Sequence, residues 1–474
     1  SEFNFEDLSG FNAGVPTTDP DNVYLNQATD TVWTANGGAA HSALYSVFAR
    51  GTYSYKDKYS FTGIVRRDGS SKFGSNKRYG VFPSLGAAWV LSDESFMANL
   101  GPVNFLKMRA SWGINGNQEI GDYRFVSTID KSRGYTFSNG RVIGSSPSYV
   151  ENGDIQWEES KQIGIGIDMR AFQNRLSATL DFYKKDTENL LEIAGIPGHI
   201  GNAPPVSNVG SIQNKGVELG LNWRNSKGEL NYSVGANVTY NKNKITNIEN
   251  DFIAGASWAI AGQVTRNVEN QPIAYFWGYK TEGVFQNQGE VFRHINSSGD
   301  LLQPNAVPGD VIFKDTNNDG VINADDRERI GNPTPEWTLG FDASADYKGF
   351  DISILFIGAL GHDIFNGMQR QDLRYTNRST AILGRWNGEG TSNSVPRYTW
   401  VDANNNYRVS DLYIEDGSYL RLKNIQIGYN LSAPVLKKLG ANAWRFYVSA
   451  ENLVTITGYS GADPEIGAQS SFDI

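Results

Sequence analysis

The segment from Asp315 to Asp326 carries residues whose types and spacing could bind a metal ion. Oxygen-bearing side chains stand at its first, third, fifth, ninth and twelfth positions, and Gly320 stands at the sixth. This spacing fits a calcium loop, in which glycine permits the sharp turn and the seventh residue offers its backbone carbonyl. The predicted structural ligands are Asp315, Asn317, Asp319, Val321, Asn323 and Asp326. The alternative is a surface turn without metal, because Asn and Asp are common in turns.

Aromatic residues in polar, irregular stretches form a second candidate site. The flat face of an aromatic ring can cover the apolar face of a sugar, while neighbouring Asn, Asp and Arg side chains bond the hydroxyl groups. The candidates for substrate binding are Trp258, Trp277, Tyr279, Trp386 and Trp400. For any one of them, packing within a long loop or contact with a partner protein is the alternative.

Residue patterns typical of catalysis are not found in the sequence. The four His residues lack an HExxH pair, and neither Gly-x-Ser-x-Gly nor a phosphate-binding glycine-rich loop occurs. Carboxylates are abundant in the loops, but no pair is marked as that of a glycosidase. We therefore expect a protein that is not an enzyme and uses no redox cofactor.

Length and composition limit the class of protein. The chain has 474 residues, no Cys and a formal net charge of −9 at pH 7. Without Cys, disulfides and thiolate metal sites are excluded, and the negative charge argues against nucleic-acid binding. A hydrophobic content of 39% and a mean hydropathy of −0.42 are too polar for a helical membrane protein. They remain compatible with a membrane β-barrel, in which half of each strand faces water.

Amphipathic strands must position these loops. Apolar and polar residues alternate from Trp337 to Tyr347, and the alternation resumes from Phe350 to Phe356 after a short turn. Successive side chains of a strand point to opposite faces, so each segment has one apolar and one polar face. Twelve such strands can be counted along the chain. In one of them the alternation shifts near Asn424, which predicts a β-bulge.

The connections between these strands alternate between short and long. Short turns follow Tyr55, Leu91, Arg170, Trp223, Tyr347 and Tyr429, and the long connections are 69–79, 116–156, 187–210, 245–336 and 362–416. This sorting is typical of bacterial outer-membrane barrels, and no propeller repeat is present. The sequence therefore predicts an all-β transmembrane antiparallel β-barrel, with residues 1–40 as a loop and 245–336 as a large extracellular loop region.

The positions of the chain ends and of certain residues follow from this topology. Both ends fall on the long-loop side, whereas a complete bacterial barrel keeps both in the periplasm, so we expect residues 1–474 to be part of one barrel domain. The aromatic residues expected in the two membrane-interface girdles are Trp112, Trp223, Trp337 and Trp444. The charged side chains expected to face the barrel interior are Arg109, Asp168, Arg224, Asp342, Arg421, Lys423, Arg445 and Glu451.

Several segments resemble the SusC/RagA-like family of TonB-dependent outer-membrane transporters. They are Asp154–Glu158, Asn208–Glu218, Pro308–Asp310 with Lys314-Asp315, Gly331–Pro335, Tyr419–Ile425, and Glu451–Leu453 with Thr457–Glu465. The matches keep the order of the family and spread over residues 80–465.

The resemblance implies the C-terminal portion of a 22-stranded barrel from a Bacteroidetes-type bacterium. A plug domain, a TonB-contacting segment and the last strand would lie outside this chain, and the inward charges would contact the plug or line the pore. The resemblance further implies active import of oligosaccharides, sometimes peptides, together with a SusD-like surface lipoprotein, in pairs that can dimerise in outer-membrane lipid. A passive porin-like barrel and a soluble surface glycan-binding module are the alternatives.

Overall fold

A computed structural model describes residues 2–12, 33–98, 101–137, 140–193, 199, 201–248, 253–258, 262–368 and 377–465. Its main element is one antiparallel sheet of 13 strands in chain order. The strands are β1 (Glu2–Asn12), β2 (Trp33–Tyr55), β3 (Tyr59–Ser70), β4 (Tyr79–Val90), β5 (Val103–Asn117), β6 (Glu158–Ala171), β7 (Leu176–Glu188), β8 (Gly210–Lys227), β9 (Leu230–Ile248), β10 (Trp337–Tyr347), β11 (Phe350–Leu360), β12 (Tyr419–Asn430) and β13 (Arg445–Thr457). Each strand pairs with the next along the chain, which is the connectivity of membrane barrels.

The twelve predicted strands are confirmed as β2 to β13. Strand β1 was not predicted from the sequence. The prediction of a loop over residues 1–40 was wrong for 2–12 and 33–40, because Glu2–Asn12 pairs with the first part of β2 from Glu2 opposite Ala43 to Asn12 opposite Trp33. The rest of this predicted loop lies outside the described residues. Residues 37–40 of β2 are Gly-Gly-Ala-Ala and give no alternation of apolar and polar side chains. Backbone pairing with β1 defines this part of the sheet, and such pairing leaves no local signal in the sequence.

The apolar face of the sheet carries two rows of apolar, mainly aromatic residues that pair across neighbouring strands. Toward the long connections, the residues paired from β6 to β10 are Ile165, Phe182, Val217, Tyr240 and Trp337. Toward the short connections, the residues paired from β10 to β13 are Tyr347, Phe350, Tyr429 and Phe446. Trp337 and Tyr347 are ten steps apart along the strand, which is ~34 Å and ~24 Å across the membrane at a tilt of ~45°. This height matches the apolar band of ~25 Å in membrane barrels.

A β-bulge interrupts β12 where the alternation shifts. The register of β12 changes between Leu422 and Asn424 against β13, and the register against β11 changes between Leu355 and Phe356. The extra residue lets Leu422 and Ile425 lie on the same face although three positions separate them. The predicted bulge near Asn424 is therefore confirmed.

The short connections use compact turns and small helical segments. Two 3-10 helices, Leu91–Asp93 and Ser95–Met97, join β4 to β5, and Lys348 and Gly349 turn between β10 and β11 with positive φ. Helix α2 (Ala433–Leu439) lies between β12 and β13 and ends at Gly440 in the left-handed conformation. The turn predicted around 437–440 is thus the end of a helix.

The long connections contain short paired strands and a short helix. The strands are Ile129–Phe137, Gly140–Pro147, Leu191–Ile193, Val206–Asn208, Ile253–Ala254, Ser257–Trp258, Gly262–Gln263, Thr265–Asn267, Tyr275–Gly278, Thr281–Val284, Val311–Phe313, Glu328–Gly331, Asp363–Phe365 and Ile414–Asp416. The helix is α1 (Gln288–Arg293), and 3-10 turns occupy Ala324–Asp326, Thr380–Gly384 and Asp411–Tyr413. The segment predicted as a loop from residue 245 starts slightly later, since β9 continues to Ile248. Within the described ranges, no helix has the length and apolar character needed to cross a membrane.

Candidate functional site

The two longest connections pack against each other into one body, here called the loop assembly. Its described residues are 253–258 and 262–336 from the first connection and 361–368 and 377–418 from the second. Its core contains buried side chains from both connections, namely Val264, Phe276, Ile330, Phe365, Val409 and Tyr413. Backbone hydrogen bonds also join them, for example from Tyr279 N to Val409 O at 3.0 Å. Segments more than 100 residues apart thus form a common small core on the long-connection side of the sheet.

A buried carboxylate joins the two halves of the loop assembly. The Asp310 side chain is fully buried and accepts hydrogen bonds from Arg397 Nε at 2.7 Å, Asn406 Nδ2 at 2.9 Å and Val307 N at 3.0 Å. Gln303 Nε2 donates to Asn404 Oδ1 at 2.8 Å beside it. A buried charge is tolerated only when it is paired and hydrogen-bonded, so this network fixes how the two connections meet.

Three of the five predicted substrate-binding aromatics belong to the first connection of the loop assembly and are partly buried. Trp258 packs against Phe365 and Tyr413, with ring centroids 5.2 and 4.9 Å away, and its Nε1 donates to the Gly367 carbonyl at 3.1 Å. The Arg266 guanidinium lies 4.5 Å from the centre of the Trp277 ring. The Arg408 guanidinium lies over the ring of Tyr279 in the same way. Packing is therefore the main contact of Trp258, and cation–π pairing occupies one face of the other two rings.

The remaining two aromatics lie in the segment 377–401. The ring of Trp386 packs on Gly309, which has a φ of +91°, and a Cβ added there would lie 2.5 Å from the ring. The Trp386 Nε1 is buried and has no hydrogen-bond partner. Trp400 is 55% exposed and lies 5.8 Å from the ring of Tyr398. The five aromatics thus differ in exposure, and Trp400 presents the most open ring.

The predicted calcium loop is closed by hydrogen bonds from its own backbone. Asp315 Oδ2 accepts from Gly320 N at 2.9 Å, and Asp326 accepts from Thr316 N and Asn323 N at 2.9 and 2.7 Å. Asp326 is fully buried, and Asp315 Oδ1 is a buried oxygen without a hydrogen-bond partner. In the part of the chain that the structure describes, no three His, Asp or Glu side chains converge as a preformed metal site. The loop has the turn that the motif predicts, and the metal stays a prediction.

Burial shifts the pKa of several groups in the loop assembly. Arg408 lies over the rings of Phe313 and Tyr279, at 4.2 and 4.9 Å, and its burial lowers the pKa of the guanidinium from its usual value. Burial likewise raises the pKa of Asp402 and lowers that of His294. All three shifts disfavour the charged form, which marks a dry interior.

The polar face of the sheet carries a charged cluster on β5, β6 and β7. Arg109 Nε lies 3.1 Å from Asp168 Oδ1, and its Nη2 lies 2.6 Å from Asp181 Oδ2. Gly166 makes room between them, because a Cβ added there would lie 2.3 Å from the Asp181 carboxylate. Arg109, Gly166 and Asp181 line a cavity of about 470 Å³ together with Lys185 and Glu218. The predicted inward charges Arg109 and Asp168 thus meet, and Asp181 is a partner that the sequence reasoning missed.

Several contacts of the loop assembly were also missed by the sequence reasoning. Arg397 and Arg408 are single arginines in polar loops, and nothing in their spacing marks their distant partners Asp310 and Tyr279. The available signal was the Pro308-Gly309-Asp310 motif, whose glycine and carboxylate are both used in packing.

Comparison with known proteins agrees with this architecture. The family model described as TonB dependent receptor-like, beta-barrel, matches residues 2–453. TonB-dependent receptor P3 of Formosa agariphila is 34% identical over 471 residues, covering 98% of this chain and 44% of that protein. TonB-dependent receptor SusC of Bacteroides thetaiotaomicron is 27% identical, covering 90% of this chain and 42% of SusC.

The solved structure of the RagAB peptide transporter is similar over the whole chain. It has a TM-score of 0.80 and 25% sequence identity, and the match covers 98% of this chain and 50% of the matched chain. The present chain therefore spans about half the length of the proteins that it matches. The predicted SusC/RagA-like barrel fold is confirmed, and the chain belongs to the TonB-dependent receptor-like β-barrel family.

Proposed function

We propose that the chain is the barrel portion of an outer-membrane transporter that TonB energises and that imports oligosaccharides. The observation that supports this most is the loop assembly, because a buried charge network holds its two long connections in one arrangement above the sheet. A fixed arrangement of polar and aromatic groups is suited to recognising a ligand before transport. A peptide substrate is the second candidate, since the RagAB structure is described as a peptide transporter.

The experiment is uptake by cells that carry the full-length protein. Labelled oligosaccharides and peptides are supplied to wild-type cells, to cells without the transporter and to cells without TonB. We expect saturable oligosaccharide uptake that disappears in both deletion strains. Uptake that persists without TonB would identify a passive porin-like barrel, and uptake of peptides alone would replace the proposed substrate class.

The proposed sugar contact is the exposed ring of Trp400. Trp400→Ala should lower oligosaccharide uptake by about fivefold at limiting substrate, because the stacking contact of an aromatic ring is worth ~1 kcal/mol. Trp277, Tyr279 and Trp386 are proposed as weaker contacts, because these side chains are only partly exposed. Trp258→Ala is the contrasting variant, because this ring packs inside the loop assembly. Its loss should lower the protease resistance of the loop assembly and leave the substrate preference unchanged.

The proposed partner is a SusD-like lipoprotein that covers the loop assembly. Large apolar side chains stay exposed in the segment that carries Trp400, with Leu383 at 76% and Val401 at 72%. Such exposure is common at protein interfaces. Leu383→Asp with Val401→Asp should reduce co-purification of the lipoprotein, while Val435→Asp in α2 on the other rim should leave it unchanged. Dimers of transporter–lipoprotein pairs would then be visible by native mass spectrometry.

We propose a structural calcium ion in the loop from Asp315 to Asp326. The buried Asp315 oxygen without a partner and the turn at Gly320 support this. Calcium would be coordinated by the carboxylates of Asp315, Asp319 and Asp326. The neutral oxygen ligands would come from Asn317, Asn323 and the Val321 carbonyl. In this role the ion would order the loop and take no part in transport.

A further inference from the structure

Three lysines form a row on the apolar face, just beyond the aromatic row near the long connections. Each of these lysines is two positions away from a member of that row, on the side of the long connections. The pairs are Lys184 with Phe182, Lys215 with Val217, and Lys242 with Tyr240. The strand pairings place Lys184 opposite Lys215 and Lys215 opposite Lys242. Neighbouring strands lie ~4.8 Å apart, so three ammonium-bearing side chains occupy about 10 Å of the membrane-facing surface.

This lysine row has few carboxylate partners. Lys184 Nζ lies 2.8 Å from Asp186 Oδ2, whereas neither Lys215 nor Lys242 is within 4 Å of a carboxylate oxygen among the described residues. Both are exposed. Like charges on adjacent strands repel each other, so a row of three lysines with one carboxylate partner would be stabilised by an external anion.

The lysine row leads into a polar pocket of about 350 Å³. The pocket exists because β10 begins at Trp337, opposite Tyr240, while β9 continues beyond this pair. The backbone bond from Ile245 N to Gln271 O, at 2.9 Å, closes its far end. The pocket therefore lies between the extended end of β9 and the loop assembly, next to the start of β10.

The lining of this pocket is basic and rich in amide groups. Lys242, Lys244 and Arg329 contribute three cations, and Glu336 is the carboxylate among its lining residues. Arg329 Nη1 donates to Gln271 Oε1 at 3.4 Å and is otherwise exposed. Side-chain amides and a hydroxyl, such as those of Asn270 and Thr334, line the remainder. Cations suit a phosphate, and amides and hydroxyls suit the hydroxyl groups of a sugar.

We propose that the lysine row and this pocket bind the phosphorylated sugar headgroup of a glycolipid in the outer leaflet of the membrane. The location supports a lipid as the source, because the aromatic ring pair of Trp337 and Tyr240, 4.8 Å apart, lies directly below and marks the membrane interface. The acyl chains would then lie on the apolar face beneath the row. This inference rests on the proposed orientation, in which the long connections are outside the cell.

The test measures the lipid that the full-length transporter retains after purification in detergent. Native mass spectrometry is applied to the wild type, to K215Q/K242Q/R329Q and to the charge-retaining variant K215R/K242R/R329K. Each basic group near an anionic lipid contributes roughly a fivefold factor, so the Gln variant should bind added lipopolysaccharide about a hundredfold more weakly. The charge-retaining variant should bind within about threefold of the wild type. The matched control is K227Q/K348Q/K438Q, which removes three lysines at the other rim and should retain the lipid.

Defined outcomes separate this proposal from its rivals. Equal lipid retention by the Gln variant and the wild type would overturn it. Displacement of the lipid by inorganic phosphate at equal concentration would indicate a site for small anions and overturn the assignment to a lipid. Transport is measured on the same variants: loss of lipid with normal uptake supports a separate lipid site, and absence of TonB-dependent uptake in the wild type counts against the transport proposal alone.

Discussion

At the scale of single residues, Asp310 shows how one buried carboxylate can organise two distant connections. Replacing Arg397 by Met would leave this fully buried charge without its cation, which typically destabilises by ~3–5 kcal/mol. We expect the loop assembly of this variant to become sensitive to protease while the strands remain assembled. The measurement is limited proteolysis with identification of the cut sites. Arg385→Met is the control, because Arg385 donates only to a backbone carbonyl in the same segment, and equal cleavage of both variants would contradict the role of Asp310.

The calcium proposal also belongs to the residue scale. If the dissociation constant is ~10⁻⁴ M, about 1 mM calcium should stabilise the loop by about 1.4 kcal/mol. D315N/D319N should abolish this effect, which protease protection with and without calcium would measure. Asp325→Asn is the matched control, because Asp325 is exposed and is not among the predicted ligands. Absence of calcium protection in the wild type would leave the alternative of a turn held by its own hydrogen bonds.

At the scale of elements, the two faces of β10 and β11 should differ in their response to charge. Phe341 pairs with Phe356 on the apolar face, and Ser344 pairs with Ser353 on the polar face. Leu339, Phe341 and Ile354 should each tolerate another apolar residue, whereas Arg should destabilise by ~2–4 kcal/mol near the bilayer centre. Ser344→Arg and Ser353→Arg should destabilise the folded protein much less, because these positions lie on the polar face. Folding into lipid vesicles, followed by heat-dependent gel mobility, measures the difference, and equal destabilisation on both faces would argue against a lipid-facing sheet.

At the scale of the whole molecule, sidedness is the property to test. Gly388 is partly exposed with a φ of +136°, and an added Cβ would meet no atom within 4 Å, so an epitope inserted there should not disturb packing. Lys227 stands at the opposite rim, beside the turn at Gly228. In the full-length protein on intact cells, antibody should reach a tag at Gly388 and miss one at Lys227. Permeabilised cells provide the control, and labelling at Lys227 on intact cells would reverse the topology.

The sequence by itself determined the strands and their faces. The alternation from Trp337 to Tyr347 and the shift near Asn424 are local properties, because side-chain direction in a strand depends on the parity of neighbouring residues. The sorting of connections by length and the family resemblance then identified the barrel. These conclusions did not require knowledge of which residues meet across the sheet.

The tertiary structure decided which residues meet across the sheet and through the loops. The pairing of β1 with β2, the burial of Trp258, the bond between Asp310 and Arg397, and the alignment of Lys184, Lys215 and Lys242 all join positions far apart in the chain. Registers between strands and contacts between long loops depend on the summed free energy of many distant groups. A contact such as the one between Asp310 and Arg397, 87 residues apart, therefore leaves no periodic trace in the sequence and becomes visible only once the chain is folded.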